Sequence, residues 1–219
     1  MFPEFLDYTF ASMNEDQKRI LQKARDLYMR YGVKSITMDD VARELGISKK
    51  TLYQFVTDKD DLVGKFIDFE IEKRQTQICD CFKQSLNAID GIFEISFYMI
   101  KMMKEENPST EYDLKKYHPT QYQKLLNARR EGMYKYILLN LKQGKEEGLY
   151  RQDMKEELIA KLYLTRAENI HFTDLFTPEE LTSKDLFIEL LSYHIRGIAS
   201  DKGIKVLENK IKELNSSNS

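Results

Sequence analysis

The chain has 219 residues, enough to bury a core without disulfide or metal staples. Hydrophobic residues make up 42% and charged residues 32%, which excludes a disordered chain, and nine Gly with four Pro are too few for the turns of an all-β barrel. The formal net charge of −2, from 34 Lys+Arg against 36 Asp+Glu, argues against a uniformly basic surface for nucleic acid but does not say where the charges sit.

Residues 1–13 read as an N-terminal arm with Phe2, Phe5, Tyr8 and Phe10, acidic and without the basic leader of a signal peptide. A helix is expected from Ser12 or Asn14, with Ser12 and Glu15 at capping-box spacing. Ile20, Leu21, Ala24, Leu27, Tyr28 and Tyr31 then mark one helical face, and Gly32 ends it. Thr37 suits the N-cap of a helix carrying Met38, Val41, Ala42 and Leu45. Gly46 allows a sharp turn, Ile47 plugs it, and Ser48 can cap a second short helix over 49–55. Asp58 can cap a third, with Leu62, Val63, Phe66, Ile67 and Phe69 on one side and Asp60 and Asp61 at its positive end.

Beyond residue 75 the pattern predicts amphipathic helices over 76–89, 91–106, 120–147, 154–175, 183–200 and 203–214. Asn107-Pro108, His118-Pro119 and Thr177-Pro178 mark breaks, and no strand is expected. The apolar stretch 91–103 is too short to span a bilayer, so a cytoplasmic protein is expected. Cys79 and Cys81 supply no disulfide framework and lie about 200° apart around a helix, unsuited to gripping one metal. His118, His171 and His194 are widely separated, and no nucleophile motif or phosphate-binding Gly loop occurs. No metal, cofactor or catalytic residue is expected, and the chain does not read as an enzyme.

Ala42, Gly46 and the apolar set Val41, Leu45, Ile47 and Leu52 form a helix-turn-helix pattern, although an ordinary αα corner has the same Ala-Gly spacing. In such a unit the second helix enters the DNA major groove. The stretch 37–62, TMDDVARELGISKKTLYQFVTDKDDL, resembles the DNA-binding domain of TetR-family transcriptional regulators. Thr37, Val41-Ala42, Gly46-Ile47-Ser48, Thr51-Leu52-Tyr53, Lys59, Asp60 and Leu62 carry the likeness. It implies an all-α fold: an N-terminal three-helix helix-turn-helix domain and a larger C-terminal helical domain for dimerisation and ligand binding. The corresponding segments are an arm at 1–13, the helix-turn-helix at 14–58, a connecting helix at 59–74, the ligand and dimer domain at 75–214 and a polar tail at 215–219.

The resemblance assigns DNA contacts to Thr37, Ser48, Lys49, Lys50, Thr51, Tyr53, Gln54 and Lys59. The hydroxyls of Thr37, Thr51 and Tyr53 suit phosphate, as does Lys59, and such contacts set position rather than sequence. Lys49, Lys50 and Gln54 suit base edges, with phosphate the alternative for each Lys. Phe55 stands where the family often has His or Tyr, and Val56 where Phe is frequent. The turn at 144–151 and the helices near 158–175 and 186–198 look like the family's dimer-forming pair, with Leu158, Leu162, Leu186, Leu190 and Ile198 at suitable spacing. Tyr98, Met102, Tyr122 and Tyr134 are candidate ligand contacts, although such stripes also form ordinary core.

The expected function is a homodimeric TetR-like regulator, a repressor released from a double-stranded DNA operator by a small-molecule effector. The alternative is the same fold acting as a ligand-independent regulator or protein-interaction partner. Charge patterning fits a reading head on an acidic body: residues 17–59 hold 10 Lys+Arg against 5 Asp+Glu, the remainder 24 against 31.

Overall fold

The computed structural model describes residues 13–105, 107–169 and 175–216; all but the last residue of the N-terminal arm, together with His171 and the final three residues, lies outside them. The described residues form eleven helices, and their β pairing is confined to an isolated antiparallel bridge between Tyr150 and Ala199. The all-α expectation therefore holds.

Helix α1 is Glu15–Tyr31. Its cap is Asn14, whose side chain accepts from the Gln17 amide while Gln17 reaches back, so the capping box starts two residues later than the Ser12 spacing suggests. Helices α2 (Met38–Leu45) and α3 (Lys49–Leu52) follow. The first stops at Gly46, whose φ of 68° is left-handed and free of strain only for Gly. The second is shorter than expected. Tyr53–Phe55 continue as tight turns in which the Gln54 and Phe55 amides bond carbonyls three residues back.

Helix α4, Lys59–Gln84, is one unbroken element where the sequence suggests two, because 70–80 contains neither Gly nor Pro. The break falls at 85–87 instead, and the Asn87 side chain caps α5 (Ala88–Glu105) by accepting from the Ile89 and Asp90 amides. Asn107-Pro108 begins a helix rather than merely interrupting one: Asn107 caps α6 (Pro108–Tyr117) and Pro108 fills its first position. Then come α7 (Pro119–Glu146), α8 (Glu156–Asn169), the short α9 (Pro178–Leu181), α10 (Lys184–Ile198) and α11 (Asp201–Ser216).

The chain divides into two compact units. The first comprises Met1–Gln77 with Glu106–Arg129, so α6 and the start of α7 group with the helix-turn-helix although they lie within 75–214 in sequence. Its core joins Leu21, Ala24, Tyr28, Val41, Leu52, Val56, Leu62 and Phe66, with Tyr28 and Phe66 edge-to-face at 5.3 Å. The second unit, Ile78–Glu105 with Arg130–Ser219, packs α5, α10 and α11 together. The turn after α7 is pinned there by Arg151 N donating to Ile198 O and Ser200 N donating to Leu149 O, both at 2.8–2.9 Å.

Two glycines of α7 differ in surroundings. A Cβ on Gly144 would lie 2.0 Å from the ring of buried Tyr150, whereas one on Gly132 would meet nothing within 4 Å. Gly144→Ala should therefore destabilise the protein by about 3 kcal/mol or more, because a close-packed ring must be displaced. Gly132→Ala should stabilise it by about 1 kcal/mol through helix propensity. Far-UV circular dichroism melts of the two variants, which must shift in opposite directions, provide the check.

Candidate nucleic-acid interface

Thr37 opens α2 through a two-way cap: its Oγ1 accepts from Asp40 N at 3.2 Å, and Asp40 Oδ2 accepts from Thr37 Oγ1 at 2.6 Å and Thr37 N at 3.0 Å. These bonds, together with the Arg43 guanidinium, hold the Asp40 carboxyl at about 2. Thr37 nevertheless stays exposed. On the other side of the turn Ser48 caps α3, accepting from Thr51 N at 3.0 Å and lying 2.7 Å from Thr51 Oγ1. The hydroxyls of Ser48 and Thr51 thus hold α3 in shape while both residues stay exposed.

Helix α3 is amphipathic in the simplest way. Leu52 and Val56 are buried, while Ser48, Lys49, Lys50, Thr51, Tyr53 and Gln54 are exposed, Tyr53 at 43%. Six of the eight expected DNA contacts therefore cluster on one short segment, presenting hydroxyls, cations and an amide. Arg19 Nη2 donates to Leu45 O at 3.1 Å, bracing the end of α2. Phe55 is half-buried against the core, with the Lys65 ammonium 5.5 Å from its ring, and Val56 fills the core without exposure.

Two lysines are engaged. Lys49 Nζ lies 2.9 Å from Asp39 Oδ1, and that hydrogen-bonded carboxylate raises its pKa. Lys59 is half-buried; its Nζ donates to Lys34 O at 3.1 Å, and burial lowers its pKa. An ammonium spent on a backbone carbonyl fixes the loop before α2, a role its sequence position does not reveal.

The four candidate ligand residues do not share one compact unit. Tyr122 belongs to the first, where it is buried and donates to Glu111 Oε1 at 2.7 Å; Tyr98, Met102 and Tyr134 belong to the second. Sequence periodicity missed a different polar group in the second unit. The Tyr136 hydroxyl and His194 Nε2 are buried without a hydrogen-bond partner. Tyr163 contacts His194 edge-on at 4.5 Å, and burial pushes the Tyr136 hydroxyl well above the usual phenol range. Burial holds His194 down at about 4, so its ring is neutral. Among the described residues no cluster of three His, Cys, Asp or Glu could hold a metal, and no helix is long and apolar enough to cross a membrane.

Residues 20–65 match the family model of bacterial regulatory proteins of the tetR family. An uncharacterized HTH-type transcriptional regulator, YvaF of Bacillus subtilis, is 25% identical over 84% of this chain and 96% of its own. The HTH-type transcriptional repressor KstR2 of Mycobacterium tuberculosis is 23% identical over 70% and 78%. A transcriptional regulator from Cytophaga hutchinsonii superposes with a TM-score of 0.71 at 13% identity, over 85% of this chain and all of that one. The matched segment holds the capped α2, the Gly46 turn and exposed α3, so the likeness to bacterial regulatory proteins of the tetR family rests on the helix-turn-helix itself.

Proposed function

We propose that this regulator is a cytoplasmic homodimeric repressor, not an enzyme, that releases a two-half-site operator when a small molecule occupies its second unit. The observation that carries the DNA half of this reading is α3: six exposed polar side chains on a segment anchored by Leu52 and Val56. Thr37, Thr51 and Tyr53 are assigned to phosphate, and Lys49, Lys50 and Gln54 to base edges. Repression is the role named for the KstR2 relative.

Dimerisation is supported by apolar surface that one chain leaves uncovered. Leu158 and Leu162, one turn apart on α8, are 54% and 68% exposed, and Tyr193 on α10 is 79% exposed. Leu186 and Leu190 are half-buried, whereas Ile198 lies in the unit's own core and is withdrawn from the dimer surface. Exposed apolar patches of this kind mark interaction surfaces. Effector binding is supported by the unpartnered Tyr136 hydroxyl and His194 Nε2, since buried polar atoms ordinarily find partners. An effector acts only through its differential affinity for the DNA-competent and incompetent shapes.

Sedimentation should show a dimer, and Leu158→Glu with Leu162→Glu should yield a folded monomer. The dimer should shift a DNA fragment from upstream of its own gene; failure to form any sequence-selective complex would sink the reading. Tyr53→Phe with Lys50→Ala should weaken that complex about tenfold while leaving the melting temperature unchanged, as expected for removing one hydrogen bond and one phosphate-facing charge.

His194 makes stability depend on pH. Its folded pKa of about 4 lies below the ordinary 6.5, so the neutral ring's contribution is complete above pH 6.5 and is lost as pH falls towards 4, where only the unfolded chain takes the proton. Urea unfolding at pH 7 and pH 4.5 should differ by up to about 3 kcal/mol from this residue. His194→Gln should remove that part of the difference.

A further inference from the structure

Helix α6 carries a cationic cluster that the recognition segment does not include. Lys34 Nζ lies 4.9 Å from the Tyr117 ring centroid, and Lys116 Nζ lies 5.4 Å from the same ring. Lys116 Nζ also donates to Tyr112 Oη at 3.0 Å. Lys34, Lys116, Tyr112 and Tyr117 are all exposed. Two ammonium groups thus gather around phenol rings, and the Tyr117 hydroxyl beside Lys34 and the Tyr112 hydroxyl beside Lys116 raise the pKa of each. The Asp113 carboxylate lies beside the cluster: its Oδ2 accepts from Lys34 N at 2.8 Å, and its charge favours the Lys34 ammonium.

The cluster is continuous with the DNA-facing elements. Lys34 stands three residues before Thr37, and its carbonyl holds Lys59 at the start of α4. The Lys59 ammonium is half-buried on that carbonyl, whereas Lys34 and Lys116 are exposed. All these residues lie in the same compact unit as α2 and α3.

The geometry points to a second phosphate-binding edge, formed by Lys34, Lys116 and the Tyr117 hydroxyl, through which α6 grips the DNA backbone beside the half-site that α3 reads. It rests on the DNA-binding reading and extends the footprint beyond the helix-turn-helix. The edge engages phosphate, so it adds affinity and salt sensitivity without choosing sequence. Exposed lysines contribute little to folding. Their removal should leave the protein intact.

The test uses the full-length dimer and a labelled 24-base-pair duplex of random sequence, titrated between 50 and 200 mM KCl. Lys34→Gln with Lys116→Gln should weaken binding roughly tenfold at 100 mM and flatten the log–log salt dependence by about 0.9 for each phosphate no longer neutralised. Tyr117→Phe should weaken binding less and leave the slope unchanged, and Lys116→Arg should keep both affinity and slope at the wild-type level. Lys205→Gln with Lys212→Gln, at two exposed lysines of the second unit, is the charge-matched control. If the double variant matches that control while wild type binds and Tyr53→Phe with Lys50→Ala still weakens binding, the α6 edge is overturned and the DNA-binding reading stands. If wild type binds no duplex at any salt, the DNA-binding reading itself falls, and the α6 edge with it.

Discussion

The first unit depends on how the C-terminal end of α1 is satisfied. A helix leaves its last carbonyls without intrahelical donors, and burying them unpaired is costly. Here α6 supplies donors: Thr110 Oγ1 donates to Tyr28 O at 2.6 Å, and Asn107 Nδ2 to Met29 O at 2.9 Å. Asp113 then accepts from Lys34 N, so a helix almost eighty residues downstream grips both α1 and the loop that launches α2. His118 Nδ1, at 2.9 Å from Asp60 Oδ1, ties the far end of α6 to the first turn of α4. Helix α6 thus fixes α1, the loop ahead of α2 and the start of α4, the elements that flank the helix-turn-helix.

This arrangement explains what was and was not legible in the sequence. The helix-turn-helix could be read because its determinants are local: Thr37, Gly46 and Ser48 each act within three or four residues. Gly46 in particular needs a left-handed φ whatever lies around it. Helix α6 was not legible, because Asn-Pro both interrupts one helix and starts another, and only tertiary contacts show which. Lys59 illustrates the same gap: its type and spacing suit a phosphate, but Lys34 O, 25 residues away, accepts its hydrogen bond.

The second unit shows the limit of periodicity. Tyr98, Met102, Tyr122 and Tyr134 were plausible by type, but a 3.6-residue pattern cannot tell core from cavity or one compact unit from another. Tyr136 and His194 differ from them through an accounting of partners: Tyr150 Oη donates to Asn140 Oδ1 at 3.1 Å and Asn140 Nδ2 to Ala88 O at 2.7 Å, while the Tyr136 hydroxyl beside them remains unpartnered. That imbalance exists only in three dimensions. A sequence offers the donors and acceptors, and folding decides which are left over.

The reading head also carries its own counter-charges. Lys49 pairs with Asp39 and Arg43 with Asp40, so two basic side chains between residues 17 and 59 each already have a carboxylate partner on α2. Exposed pairs of this kind are weak, so in the proposed DNA complex exchanging Asp39 for a phosphate or a guanine edge would cost Lys49 little. The exchange is favourable only where a DNA acceptor stands in the right place, whereas a random backbone contact must compete with the carboxylate already there. Under the proposed DNA-binding reading, internal pairing would lower affinity for arbitrary DNA more than for a well-fitted site. A net charge of −2 is compatible with this design, because discrimination depends on which cations remain exposed and where they stand, not on the total.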